Sequence, residues 1–109
     1  LVTLDLLNHA ALAAADPRPA VLDVREPFEW EGGVIAGAHR LSLGDLPAAL
    51  AGGRLADLDP AQPVTVVCAG GVRSSSAASL LRHHGYTQVT NLVEGMNSWY
   101  KQGRPVVTR

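Results

Sequence analysis

The stretch Val64-Thr65-Val66-Val67-Cys68-Ala69-Gly70-Gly71-Val72-Arg73-Ser74 limits the possible folds of this chain more than any other. A short apolar, β-branched run reads as a strand buried on both faces, and Gly70-Gly71 reads as a sharp turn. The following segment from Ser75 to His84 has the composition of a helix, with Ser74-Ser75-Ser76 as candidate caps. A thiol is thus expected where a strand turns into a helix. Helix starts expose unpaired N–H groups and the positive end of the macrodipole, so they stabilise an anion, either a thiolate or a substrate above it. A free cysteine has a pKa near ~8.5, and a helix start with a nearby arginine can bring it to ~7 or below.

A lone cysteine at a strand end is usually one more small buried hydrophobe. A purely structural turn, however, does not require Gly-Gly, an arginine and a run of serines around the thiol. Gly70 and Gly71 allow positive φ, so the backbone N–H groups can curl inward as a nest and a ligand can approach the main chain.

The rest of the chain alternates between the two periodicities. Leu4 to Ala15 reads as an amphipathic helix with Thr3 as N-cap, Asp5 in its first turn and Leu4, Leu7, Ala11 and Ala14 on one stripe, ended by Asp16-Pro17-Arg18-Pro19. Ala20 to Val24 reads as a buried strand whose only interior charge is Asp23, expected to pair with Arg25 or Arg73 because an unpaired buried carboxylate is costly. Pro27 starts a short helix that Gly32-Gly33 closes, His39 to Leu41 is a short strand, Leu43 to Leu50 is helical, and Asp57 to Pro63 is a loop. Gln88 to Leu92 is a last strand, and Met96 to Gln102 a last helix with Trp99 as a core anchor. This alternation predicts a single α/β domain over residues 1–109 with a mainly parallel sheet. Sites in such sheets form outside the carboxyl ends of the strands, so Asp23 to Glu26, Cys68 to Ser74 and Val93 to Gly95 should meet on one rim.

Composition excludes several partners. With 109 residues there is room for one core, and with a net charge of −1 and scattered basic residues nucleic acid is not an expected partner. No run approaches the ~20 apolar residues of a membrane span and nothing at the start reads as a signal peptide, so no membrane partner and a cytoplasmic location are expected. Leu1 in place of Met fits a domain cut from a longer protein. One cysteine permits no internal disulfide and no multi-cysteine metal site, and it leaves the chain without a resolving thiol. His83-His84 read as surface groups at a helix end rather than metal ligands, since adjacent helix positions diverge. No metal and no cofactor are expected.

Four sequence blocks together resemble a single-domain rhodanese, a sulfurtransferase. They are Leu22 to Pro27 with Phe28 and Glu29, Gly33 to Ala38, Cys68 to Ser74, and Asn91-Leu92 with Gly95 and Trp99. The resemblance implies about five parallel strands with helices on both faces and a catalytic cysteine that carries a persulfide. Carried onto this chain, Cys68 is the nucleophile and the main-chain amides of Ala69, Gly70, Gly71, Val72 and Arg73 form the cradle. Arg73 and Arg25 would attract the donor's charge, with Asp23 and Ser74 in support. The six residues from Cys68 to Arg73 match the loop length of sulfurtransferases rather than that of related phosphatases, which is one residue longer. Val34, Ala36 and Glu94 stand where the family often has His, Pro and a second Gly; a carboxylate at Glu94 would disfavour an anionic donor.

The reaction implied moves a sulfane sulfur from a donor such as thiosulfate, through a Cys68 persulfide, to cyanide or to a thiol of a small molecule or an acceptor protein. Two alternatives stand beside it: a non-catalytic or sulfur-relay module of a larger protein, and a cysteine-dependent phosphatase or arsenate reductase.

Overall fold

The computed structural model describes residues 5–16, 19–52 and 58–108. Five strands, β1 (Asp5–Leu7), β2 (Ala20–Asp23), β3 (His39–Arg40), β4 (Val64–Val67) and β5 (Val89–Leu92), form one all-parallel sheet in the order β1-β5-β4-β2-β3. The helices are α1 (His9–Ala14), α2 (Pro27–Trp30), α3 (Leu46–Ala51, entered through a 3₁₀ turn at Leu43–Asp45), α4 (Val72–His83) and α5 (Gly95–Lys101). The α/β class, the single sheet and the buried central strands agree with the sequence reading. β4 is buried at all four positions, as expected of a strand covered on both faces.

Period-2 alternation sorts the strand side chains into two cores. Leu22, Val64 and Val66 join Leu46, Ala77, Ala78 and Leu81 from α3 and α4. Val21, Val67 and Leu92 join Leu12, Met96 and Trp99 from α1 and α5. Trp99 is fully buried and its indole N–H donates to Pro105 O at 2.9 Å, so the expected anchor also satisfies its polar edge.

Two expectations are corrected. The segment read as one helix from Leu4 to Ala15 is a strand followed by a shorter helix: Asp5–Leu7 pairs with β5 in the register Leu7↔Leu92, and α1 begins only after Asn8, whose Oδ1 accepts the Ala11 N–H at 2.7 Å. Pairing with a neighbouring strand overrides the local helical pattern, and the cap is Asn8. Thr3, Leu4, Pro17, Arg18 and Asp57 lie outside the described residues. The second correction concerns α4, which starts at Val72 with Gly71 as its N-cap at φ +98°, so the three serines lie inside the helix. Ser75 instead donates its hydroxyl to Gly71 O at 2.8 Å.

Asp23, at the end of β2, is fully buried and holds Arg25 through Nε at 3.0 and 3.1 Å and Nη2 at 2.8 Å. Arg25, only 3% exposed, also donates to Gly33 O at 3.0 Å and to the Tyr100 hydroxyl at 3.1 Å. This guanidinium thus joins the end of β2 to the Gly33 turn and α5. Removing one partner of such a pair leaves a bare buried charge, which costs far more than replacing both by apolar groups. Asp23→Ala should therefore lose about 3–5 kcal/mol in urea unfolding, whereas Asp23→Leu with Arg25→Met should recover most of that loss.

Candidate active site

β4 delivers Cys68 to the base of a loop whose sulfur environment is built from three directions. The first is the loop itself. Cys68 is 1% exposed and the Gly71 N–H donates to its Sγ at 3.0 Å. That approach requires the left-handed backbone at Gly71, which an L side chain would strain.

The second direction is β5. Asn91 sends its Nδ2 to Gly71 O at 3.1 Å and to Ser75 Oγ at 2.8 Å, so its Oδ1 faces Ser74 and accepts that hydroxyl. The Cys68 thiol in turn donates to Ser74 Oγ at 3.4 Å. A single proton chain therefore runs from sulfur to hydroxyl to amide. When the thiol ionises, sulfur becomes an acceptor, and the one Ser74 hydroxyl proton can turn from Asn91 to the thiolate.

The third direction is α5. Its amides at Met96 and Asn97 donate to Cys68 O at 2.7 Å and Ala69 O at 3.0 Å. The chain passes so close here that a Cβ on Gly95 would sit 2.1 Å from Cys68 O and 2.8 Å from Ala69 O, and Gly95 has φ +53°.

Burial pushes the Cys68 thiol up. The Ser74 hydroxyl and the amides of Ser74, Gly71 and Gly70 outweigh it and bring the thiol below its ordinary value. The arginines play a smaller part than expected. Arg73 forms a bidentate pair with Glu29, at 2.6 and 2.9 Å, instead of pairing with Asp23. The Arg73 guanidinium holds the Glu29 carboxyl down to about 2. Arg25 is only 3% exposed and has its guanidinium engaged by Asp23, Gly33 and Tyr100.

The structure thus gathers Cys68, Gly70, Gly71 and Ser74 around the sulfur, leaves Ala69 half-buried with its carbonyl on α5, and turns the Val72 side chain to solvent. Asn91 and Gly95 are the site residues that residue-by-residue reading assigned no role. The trace of Asn91 in the sequence is an amide in a strand otherwise made of Val, Thr and Leu. Among the described residues no group of three or more His, Cys, Asp or Glu could hold a metal, and no helix is long and apolar enough to cross a membrane.

Two measurements probe this geometry. Gly95→Ala should destabilise the fold by more than about 2 kcal/mol in chemical denaturation, since left-handed backbone costs ~1–2 kcal/mol before the collision with Cys68 O is relieved. Ser74→Ala should raise the pH midpoint of Cys68 alkylation toward the ordinary ~8.5 without reaching it, because the thiolate loses a hydroxyl donor and keeps the amides. An unmoved midpoint would assign the thiol's acidity to the backbone alone.

Over residues 7–102 the chain matches the rhodanese-like domain. The uncharacterized protein YqhL of Bacillus subtilis is 39% identical over 93 residues, which cover 85% of this chain and 70% of that protein. A sulfurtransferase of Allochromatium vinosum is 31% identical over 87 residues, covering 80% of this chain and 77% of its own. Among solved structures, the rhodanese-related protein of Thermoplasma volcanium is similar with a TM-score of 0.83 at 31% identity, covering 96% of this chain and 99% of that one. The five-stranded parallel sheet, the cysteine loop between β4 and α4 and these similarities agree: the chain belongs to the rhodanese-like domain family.

Proposed function

We propose that this domain is a sulfurtransferase that carries a sulfane sulfur as a persulfide on Cys68. The observation that carries the reading is the sulfur's surroundings: a buried thiol, held below its ordinary pKa by a hydroxyl and backbone amides, in a chain with no second cysteine. A thiol held this way is ionised more readily than a free cysteine, which lessens the need for a histidine base, and its adduct would be discharged by a group from outside this domain. A relative named as a sulfurtransferase supports the same chemistry.

The reaction is a double displacement. Cys68 thiolate attacks the outer sulfur of thiosulfate, the bond from that sulfur to the sulfite sulfur breaks, and sulfite leaves with the electron pair. The terminal sulfur of the persulfide then carries the negative charge, and the Gly70 and Gly71 amides, which face Sγ in the free cysteine, would stabilise it. In the second step cyanide or a thiolate attacks the terminal sulfur, and the sulfur–sulfur bond breaks with its electrons returning to Cys68. Asp23 and Arg25 act as a structural brace, and Arg73 offers at most a charge already shared with Glu29.

Phosphate-ester chemistry is the weaker reading. A phosphoryl group has to place three oxygens inside the ring of amides, and catalysis requires that the ring match the transition state. The loop from Cys68 to Arg73 holds six residues and closes onto the sulfur through the Gly71 N–H at 3.0 Å, which suits a single sulfur atom better.

The deciding experiment treats the protein with thiosulfate, removes excess donor and measures intact mass, alongside thiocyanate production from cyanide and hydrolysis of an aryl phosphate. The parent should gain one sulfur atom and form thiocyanate, with no phosphatase activity. Cys68→Ser should fold by circular dichroism and fall to the uncatalysed background in thiocyanate formation. A folded Cys68→Ser variant that retains most activity, or Cys68-dependent phosphatase turnover in the parent, would overturn the assignment.

A further inference from the structure

Beside the cysteine loop lies a cleft of about 420 Å³ that the reaction steps above do not use. Gly70, Glu94, Asn97, Ser98, Lys101 and Gln102 line it. Its inner end touches the loop because Gly70 has no side chain there; a Cβ at that position would find only Asn97 Nδ2 within 4 Å, at 4.0 Å. Its floor and far end are one face of α5, since 97 and 101, and 98 and 102, are spaced four apart.

The lining is polar and unengaged. Among the described residues, no hydrogen bond or ion pair occupies the side chains of Glu94, Asn97, Lys101 or Gln102. Glu94 sits at the N-cap of α5 without using its carboxylate as a cap, and it is the one non-glycine residue with positive φ, 58°, among those described. Two of the first amides of α5, those of Met96 and Asn97, are already taken by Cys68 O and Ala69 O, so recognition along this helix falls mainly to side chains.

The two charges are laid out lengthwise. Glu94 lies beside the sulfur loop and Lys101 seven residues further on; at ~1.5 Å per helical residue their backbones are about 10 Å apart along α5. An extended peptide spans ~3.3–3.6 Å per residue, so about three residues cover that distance. Asn97 and Ser98 between the charges, and Gln102 just beyond Lys101, offer amide and hydroxyl groups that match the donors and acceptors of peptide bonds. The volume also falls within the ~300–1,000 Å³ usual for small-ligand sites.

We propose that this cleft is the subsite for the sulfur acceptor, and that the acceptor it fits is a short peptide thiol, two or three residues long, with its ammonium on Glu94 and its carboxylate on Lys101. The inference rests on the sulfurtransferase reading and extends it to the second substrate. In the step concerned, the peptide thiolate attacks the terminal sulfur of the Cys68 persulfide. The sulfur–sulfur bond breaks with its electron pair going to Cys68, and the peptide leaves as its persulfide.

The test isolates that step. Protein loaded with thiosulfate and freed of excess donor is discharged by Gly-Cys-Gly, by its N-acetylated form, by its C-amidated form, and by cyanide. Blocking the amine also changes the acidity of the peptide's own thiol, so the quantity read is the difference between parent and variant for each peptide. Glu94→Gln should slow discharge by the free-amine peptides about threefold to fivefold at low salt and leave the acetylated one unaffected. Lys101→Gln should do the same for the free-carboxylate peptides and spare the amidated one. Equal losses for blocked and free peptides, or no loss for either, would overturn the subsite while sulfur loading and thiocyanate formation still stood. Failure of the parent to load sulfur at all would instead remove the reading on which the subsite rests.

Discussion

The carbonyls of Cys68 and Ala69 are held by the first amides of α5, and the rest of the site depends on this contact. A trans peptide group is planar, with its N–H opposite its C=O. Fixing those two oxygens on α5 therefore turns the N–H groups of Ala69 and Gly70 away from that helix. Gly95 lets the contact form, since any side chain there would collide with the Cys68 carbonyl. Gly71 then completes the turn at φ +98° and brings its own N–H onto the sulfur. Apart from the Ser74 hydroxyl, the anion-stabilising groups are thus backbone dipoles held by covalent geometry. They need no reorganisation when charge appears on sulfur, which is what makes preorganised dipoles effective.

Both arginines that the sequence places near the rim are bound to carboxylates of the same chain, and the two pairs differ in physical role. Asp23 and Arg25 are desolvated together, so their value lies in the geometry they impose on the end of β2, the Gly33 turn and Tyr100, and less in net stabilisation. Arg73 and Glu29 are partly exposed and tie the start of α4 to α2. An exposed pair of this kind is worth up to ~1 kcal/mol, enough to steady the loop flank but too little to set its shape. What remains to attract an anionic donor is the ring of amides, opposed at its edge by the free carboxylate of Glu94.

The sequence was legible where local pattern and tertiary demand agree. The run from Val64 to Val67 and the segment from Ala20 to Asp23 are strands in both readings, because nothing but a doubly covered sheet suits them. The turn to α4 was legible as a turn. Its register was not, since Ser75 bonds back to Gly71 O, Ser74 turns to Asn91 and Cys68, and Gly71 takes the cap position with no side chain. β1 was hidden because three residues carry too little pattern to outvote the helical stripe after them, and only β5 stabilises them as a strand. The partners of the arginines could not be read at all. Asp23 has Arg25 two residues away and Arg73 fifty away, and the choice between them is made by how α2 brings Glu29 to Arg73.

In the proposed double displacement a sulfur only 1% exposed would have to meet two substrates in turn, and the two encounters would differ in reach. The donor presents one sulfur atom on a narrow stem, which can reach Sγ past the side-chain-free backbone of Gly70 and Gly71. Once transferred, that atom stands about 2.05 Å beyond Sγ, the length of a sulfur–sulfur bond. With that bond directed out past Gly70 and Gly71, the loaded cysteine would carry its reactive atom nearer the loop surface than the free thiol does. A bulkier acceptor that could not have reached Sγ can reach the terminal sulfur. On the proposed reading, burial of the thiol would select small donors in the first step, while the persulfide would extend the reach of the site in the second.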